Sequence, residues 1–190
     1  MKRIKTAIAA TVFCVAMVAT LLCLTKVFRN KELTSMHDNF MQYEKGQLDT
    51  IFIGSSHQFC TISPSILYEE YGVEAFMMGT AAQQLRMSYY AAMEAIEIQR
   101  PEVIVLEAHY AAFEEGPIGI HMNHMFFDGM PLGKAKYLAV KEFFPKEEWL
   151  YYYLDFFYYH ERWKELKEED FASQLNDDRG GFYTDEVGYF

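Results

Sequence analysis

The chain has 190 residues, of which 51% are hydrophobic, 17% aromatic and 23% charged. That composition excludes a disordered or low-complexity protein, and the length leaves room for one ordinary domain. Residues 1–31 carry six Lys or Arg and no Asp or Glu, while the other 159 residues carry 11 basic and 27 acidic side chains. An acidic body of that kind repels phosphate backbones, so nucleic acid is excluded as a partner.

Thr6 to Thr25 form twenty residues without a charge, a run that spans roughly 30 Å as a helix and matches the hydrocarbon core of a bilayer. Lys2, Arg3 and Lys5 precede it, which the positive-inside rule places on the cytoplasmic side. Leu21, Leu22, Leu24 and Val27 occupy the zone where a cleaved signal peptide needs small residues. The expectation is a single-pass anchor over residues 1–27, bilayer contact through 6–25, and an extracytoplasmic body in the cell membrane. Cys14 and Cys23 lie within the anchor, leaving Cys60 alone in the body, where it reads as a small buried residue.

Residues 28–47 read as a polar, partly helical connector. Asp49 to Ile53 is a short apolar, β-branched run closed by Gly54, which suits a strand buried on both faces. Ser63-Pro64 supplies a helix start and Gly72 a stop. Val73 to Met78 is a second strand candidate closed by Gly79. A helix from about Ala82 to Gln99 follows, with Leu85, Tyr89, Ala92, Met93 and Ile96 on one face. Val103 to Leu106 is a third buried strand. Alternation of strand and helix predicts a parallel sheet with right-handed crossovers, whose ligand site lies beyond the carboxyl ends of its strands.

Residues 111–190 read as a long glycine- and proline-containing loop through 134, then an aromatic helix opened by Pro145, then a tail. Nine of the fifteen residues from Trp149 to Trp163 are aromatic. Such a segment packs on the sheet, caps the site, or touches lipid headgroups.

The stretch with the most chemical content is Gly54-Ser55-Ser56-His57, a serine on a glycine turn straight after a strand. Backbone N–H groups there are placed to receive a developing oxyanion. With Gly79 and the third strand at their spacings, residues 48–110 resemble the SGNH/GDSL hydrolase superfamily. The resemblance is to its membrane-anchored extracytoplasmic branch, which is similar to the D-alanyl transfer protein of lipoteichoic acid synthesis and to alginate-type O-acetyltransferases. It implies an incomplete flavodoxin-like three-layer α/β sheet, with 48–110 as a half-domain, behind the transmembrane helix. It also implies Ser56 as nucleophile, Ser55 in place of the family's Asp, and an oxyanion hole from the Ser56 and Gly79 amides; the family's oxyanion asparagine is missing here, and the Gln83 amide after Gly79 is the candidate substitute.

The family's Gly-x-Asn-Asp block is replaced by Glu107-Ala108-His109-Tyr110, and no Asp-x-x-His occurs anywhere in the chain. A serine without a base is a poor nucleophile. His109 is the substitute base within the chain, and the alternatives are a truncated enzyme or a non-catalytic partner of a multi-spanning membrane acyltransferase. No metal or cofactor is expected. His57 reads as a turn residue pointing away from the hydroxyl and His160 as an interface residue. His121, His124 and Asp128 form a loose set that suits a solvated loop better than a metal. Glu114-Glu115 and the run from Glu161 to Asp170 read as solvated charged faces.

Overall fold

The computed structural model describes residues 2–29, 36–112, 116–172 and 179–181. In chain order its elements are α1 (Lys2–Phe28), α2 (Met36–Phe40), β1 (Thr50–Gly54), α3 (Ser56–Phe59), α4 (Pro64–Tyr71), β2 (Ala75–Gly79), α5 (Leu85–Ile98) and β3 (Val103–Leu106). A 3-10 turn (His109–Ala112) leads to α6 (Ile120–Phe127), α7 (Lys134–Phe143), α8 (Trp149–Tyr153) and α9 (Phe156–Tyr159), then to 3-10 turns His160–Lys164 and Glu168–Phe171. α1 is one helix long and apolar enough to cross a membrane.

The strands form a parallel sheet in the order β2-β1-β3. Ile51, Phe52 and Ile53 lie in register with Phe76, Met77 and Met78 on one side and with Ile104, Val105 and Leu106 on the other. Because side chains alternate across a strand, Ile51, Ile53, Phe76 and Met78 enter a large core shared with α2, α5, α6 and α7. Phe52, Ala75 and Met77 face a smaller core that includes Phe59, Ile62 and Leu67. α4 forms as its sequence specifies: the Ser63 hydroxyl accepts from the Ile66 N–H, Pro64 sits in the first turn, and Gly72 closes the helix in the left-handed region.

Several expectations need correction. β3 is not buried on both faces: Val103 and Val105 are 48% and 37% exposed on the face shared with Phe52, where the layer holding α3 and α4 does not extend across them, and Leu106 is 48% exposed at the strand's end on the opposite face. On α5 the buried face is Met87, Tyr90, Ala91, Glu94 and Ala95, whereas Tyr89 and Ile96 are exposed. Glu94 is buried because His37 of α2 meets it at 2.8 Å, and the other imidazole nitrogen lies 2.7 Å from the Phe126 carbonyl. The supposed connector thus contributes Met36, His37 and Phe40 to the interior. The supposed loop holds α6, with His124 and Asp128 buried. The aromatic stretch is broken at Leu154 and Asp155 into short helices and turns, and a separate helix, α7, precedes it. Cys60 is exposed. Glu114-Glu115 and most of the tail lie outside the described residues. Within the tail, the Arg179 carbonyl accepts from the Met77 N–H at 2.9 Å, and its guanidinium rests 3.7 Å from the Tyr68 ring centroid.

A charged cluster joins α1 to the body. Arg29 pairs with Asp38, and with Asp155 at 2.6 Å. Lys136 lies 4.0 Å from Asp155 and donates to the Met130 carbonyl. Nearby, Asp128 accepts from the Tyr159 hydroxyl at 2.6 Å and meets His124 at 2.8 Å, whose ring stacks on Tyr158 and Tyr152. Burial, then the charge of Asp128, pushes the Tyr159 phenol above its ordinary value of 10. The folded state therefore holds this proton more tightly than the unfolded chain, so its stabilising contribution is full below pH 10 and lost above it. Unfolding midpoints recorded from about pH 9 to about pH 11 should fall, and Tyr159→Phe should make that fall shallower.

Candidate active site

The chain leaves β1 to form β2 on one side and returns to form β3 on the other. The carboxyl ends of β1 and β3 therefore bracket the crevice where open parallel sheets hold ligands. Gly54 ends β1, and Ser55 is the N-cap of α3, its hydroxyl accepting from the His57 N–H at 3.4 Å. The same hydroxyl donates to Glu107 Oε2 at 2.8 Å, and the Ser55 N–H donates to that oxygen at 2.6 Å. Glu107 follows β3 directly and is fixed there by its N–H on the Ile53 carbonyl, 2.9 Å away.

His57 turns back over this pair, its Nδ1 3.2 Å from Ser55 Oγ and 3.9 Å from Glu107 Oε1. Glu107 Oε1 is buried and has no hydrogen bond among the described residues, which leaves its charge available to an imidazolium at His57. The His57 ring lies against the His109 ring at 4.3 Å between centroids. Two imidazoles, one carboxylate and the Ser55 hydroxyl thus meet at one corner of the sheet, with Ser56 next in the chain.

The expected residues fare differently. Ser55 is 1% exposed and its hydroxyl is engaged by Glu107 and the α3 cap, so it braces the turn. Ser56 is half-buried and opens α3. Its hydroxyl makes no hydrogen bond among the described residues, and its N–H stands where a helix has no internal acceptor. His57 does not point away from the serines but toward Ser55. Gly79 ends β2 beside Gly54, and a Cβ there would stand 3.1 Å from the Gly54 carbonyl oxygen and 3.3 Å from the Phe59 ring; close approach accounts for that glycine.

Gln83 is corrected as an oxyanion donor. Its side-chain amide N–H groups donate to Ser88 Oγ at 3.0 Å and the Met78 carbonyl at 3.4 Å, and its oxygen accepts from Thr80. Gln83 braces the turn after β2 instead. Glu107 is the member that the motif did not mark out; its place immediately after the third strand, level with the serine turn, was the available signal. His121 is exposed on α6 and His160 is exposed with Nδ1 on the Phe157 carbonyl. No metal-holding group of three side chains forms among the described residues.

A cavity of about 730 Å³ opens between the start of α5 and the α7–α8 connection, walled by Phe143, Phe144, Tyr151 and Tyr152 with Arg86 and Asn123. None of the serine-corner residues lines it. No family model, no curated protein and no solved structure matches this chain.

Proposed function

We propose that the protein is a membrane-anchored serine esterase or acyltransferase of SGNH type, acting on an ester of the cell envelope, with α1 as anchor and the body extracytoplasmic. The observation that carries this reading is the meeting of Ser55, His57, Glu107 and His109 at the carboxyl ends of β1 and β3, with Ser56 next in the chain at the start of α3. The strand order 2-1-3 is the order in which a flavodoxin-like sheet begins.

In this reading Ser56 Oγ attacks the acyl carbon, and its proton passes to the His57–His109 pair as the new C–O bond forms. Glu107 steadies the imidazolium. The resemblance assigns the charge that develops on the carbonyl oxygen to the Ser56 and Gly79 N–H groups. Collapse of the intermediate breaks the ester bond, the leaving alkoxide takes the proton, and the acyl group stays on Ser56. Water or an envelope hydroxyl then accepts it, giving hydrolysis or transfer. The full chain in detergent should turn over a small acetyl ester, and Ser56→Ala should lower kcat/KM by roughly 1,000-fold or more. Unchanged turnover in that variant would remove Ser56 from the mechanism.

The exposed apolar side chains of β3, Val103 and Val105 on one face and Leu106 on the other, favour a second reading. There the chain is a non-catalytic subunit that docks a multi-spanning membrane acyltransferase. Absence of turnover in the wild-type chain, together with co-purification of such a protein, would select it.

A further inference from the structure

We propose that the 3-10 turns His160–Lys164 and Glu168–Phe171 form a lipid-contacting rim around the exit of α1, with Trp163 and Phe171 seated in the headgroup layer of the bilayer. The inference rests on the reading of α1 as a membrane anchor.

Depth along α1 carries the argument. The body packs on the last turns of this helix through α9 and both 3-10 turns. Thr25 is buried and Leu21, Leu24 and Phe28 are half-buried. Phe156 meets Phe28 edge-on at 5.5 Å between ring centroids. Arg162 donates to the Phe28 and Arg29 carbonyls at 2.5 and 2.7 Å, closing the helix end. At 1.5 Å per residue, Leu21 lies roughly 6 Å inside the end of the uncharged run at Thr25, and Arg29 roughly 6 Å beyond it. The headgroup layer is about 5–8 Å thick on each side. The turns that touch this stretch therefore sit at the level of the headgroups and the adjoining hydrocarbon.

On those turns Trp163 and Phe171 are 62% and 68% exposed, an unfavourable arrangement in water and the favoured one at a membrane interface. The Lys164 ammonium lies 5.2 Å from the Trp163 ring centroid, and such a side chain extends its charge to the wet side of the layer. Arg162 is paired with Asp170, and Lys167 with Glu169. The two turns carry more acidic than basic side chains, so contact is apolar and does not depend on anionic lipid. A second point of contact beside a single anchor fixes the rotation of the body about α1.

The test uses the full chain in phosphatidylcholine vesicles and tryptophan quenching by lipids brominated near the headgroup or near the chain end. Trp149→Phe leaves Trp163 as the reporter, Trp163→Phe leaves Trp149, and Phe171→Trp or Phe13→Trp is placed in a background lacking both. Trp163 and the Phe171→Trp reporter should lose roughly half their emission to the shallow bromines and less to the deep ones. Trp149, whose indole N–H is bound to the Phe144 carbonyl, should be unaffected. The Phe13→Trp reporter should respond most to the deep bromines. Quenching of that anchor reporter with Trp163 reached only by aqueous acrylamide would overturn the rim and leave the anchor standing. Failure of the anchor reporter itself would overturn both. Addition of phosphatidylglycerol should change nothing; a requirement for it would contradict the apolar contact.

Discussion

Replacing Asp155 by alanine is expected to cost about 3–5 kcal/mol of folding stability, the effect of removing one side of a buried ion pair. Asp155 is 3% exposed and serves two cations, Arg29 at 2.6 Å and Lys136 at 4.0 Å. Burial pulls the Lys136 ammonium below its ordinary value, with Asp155 and Asp128 opposing it. Burial also opposes the Arg29 charge, and Asp155, Asp38 and Asp128 outweigh it and hold its pKa above the ordinary value. Without Asp155 two positive charges share a dry site, with Arg29 left to Asp38 and the more distant Asp128. Denaturant titration of the detergent-solubilised chain measures the loss. Adding Lys136→Met removes one orphaned cation, so the double variant should recover part of it. Additive losses would show that the two side chains are not coupled. Because Arg29 immediately follows α1, the same substitution should loosen the joint between α1 and the body.

Gly54→Ala is expected to disable the serine corner more thoroughly than its size suggests. A Cβ on Gly54 would stand 2.6 Å from Glu107 Cβ, 2.7 Å from Glu107 Oε2 and 2.5 Å from Gln58 Oε1. The amide tip of Gln58 can swing aside, but the Glu107 Cβ is fixed to the backbone at the end of β3. β1 and β3 must therefore part locally, and Glu107 loses its two hydrogen bonds to Ser55. Overpacking of this kind costs about 1–3 kcal/mol, and an ångström of displacement at a reacting group lowers turnover roughly 100-fold. Gly119→Ala, where a Cβ meets nothing within 4 Å, is the matched control and should leave turnover unchanged. A Gly54→Ala protein as active as the wild type would mean that Glu107 has no part in positioning Ser55 and His57.

What was legible in the sequence was local. Ser63, Pro64 and Gly72 bound α4 because capping and proline geometry act within a turn. Strands β1 and β2 were visible because short β-branched or apolar runs end at Gly54 and Gly79. The misread features depend on partners far away in the chain. α5 buries Glu94 because His37, 57 positions earlier, neutralises the cost, and that reverses the face its apolar spacing indicated. His124 and Asp128 are interior because aromatic rings from α8 and α9 close over them. At the candidate site the Gly-Ser-Ser turn was plain, but the partition of roles between its two serines was not. That partition is made by Glu107, 52 residues on, which engages Ser55 and leaves the Ser56 hydroxyl without a partner among the described residues.

The most direct measurement is the position of a covalent adduct. The full chain is treated with a serine-directed fluorophosphonate, and the peptide between Lys45 and Arg86 is fragmented to locate the label. The expected result is phosphonylation at Ser56, absent in Ser56→Ala and slowed when His57 and His109 are both replaced by alanine. Label on Ser55, or label that persists unchanged in Ser56→Ala, would contradict the assignment of Ser56 as the nucleophile.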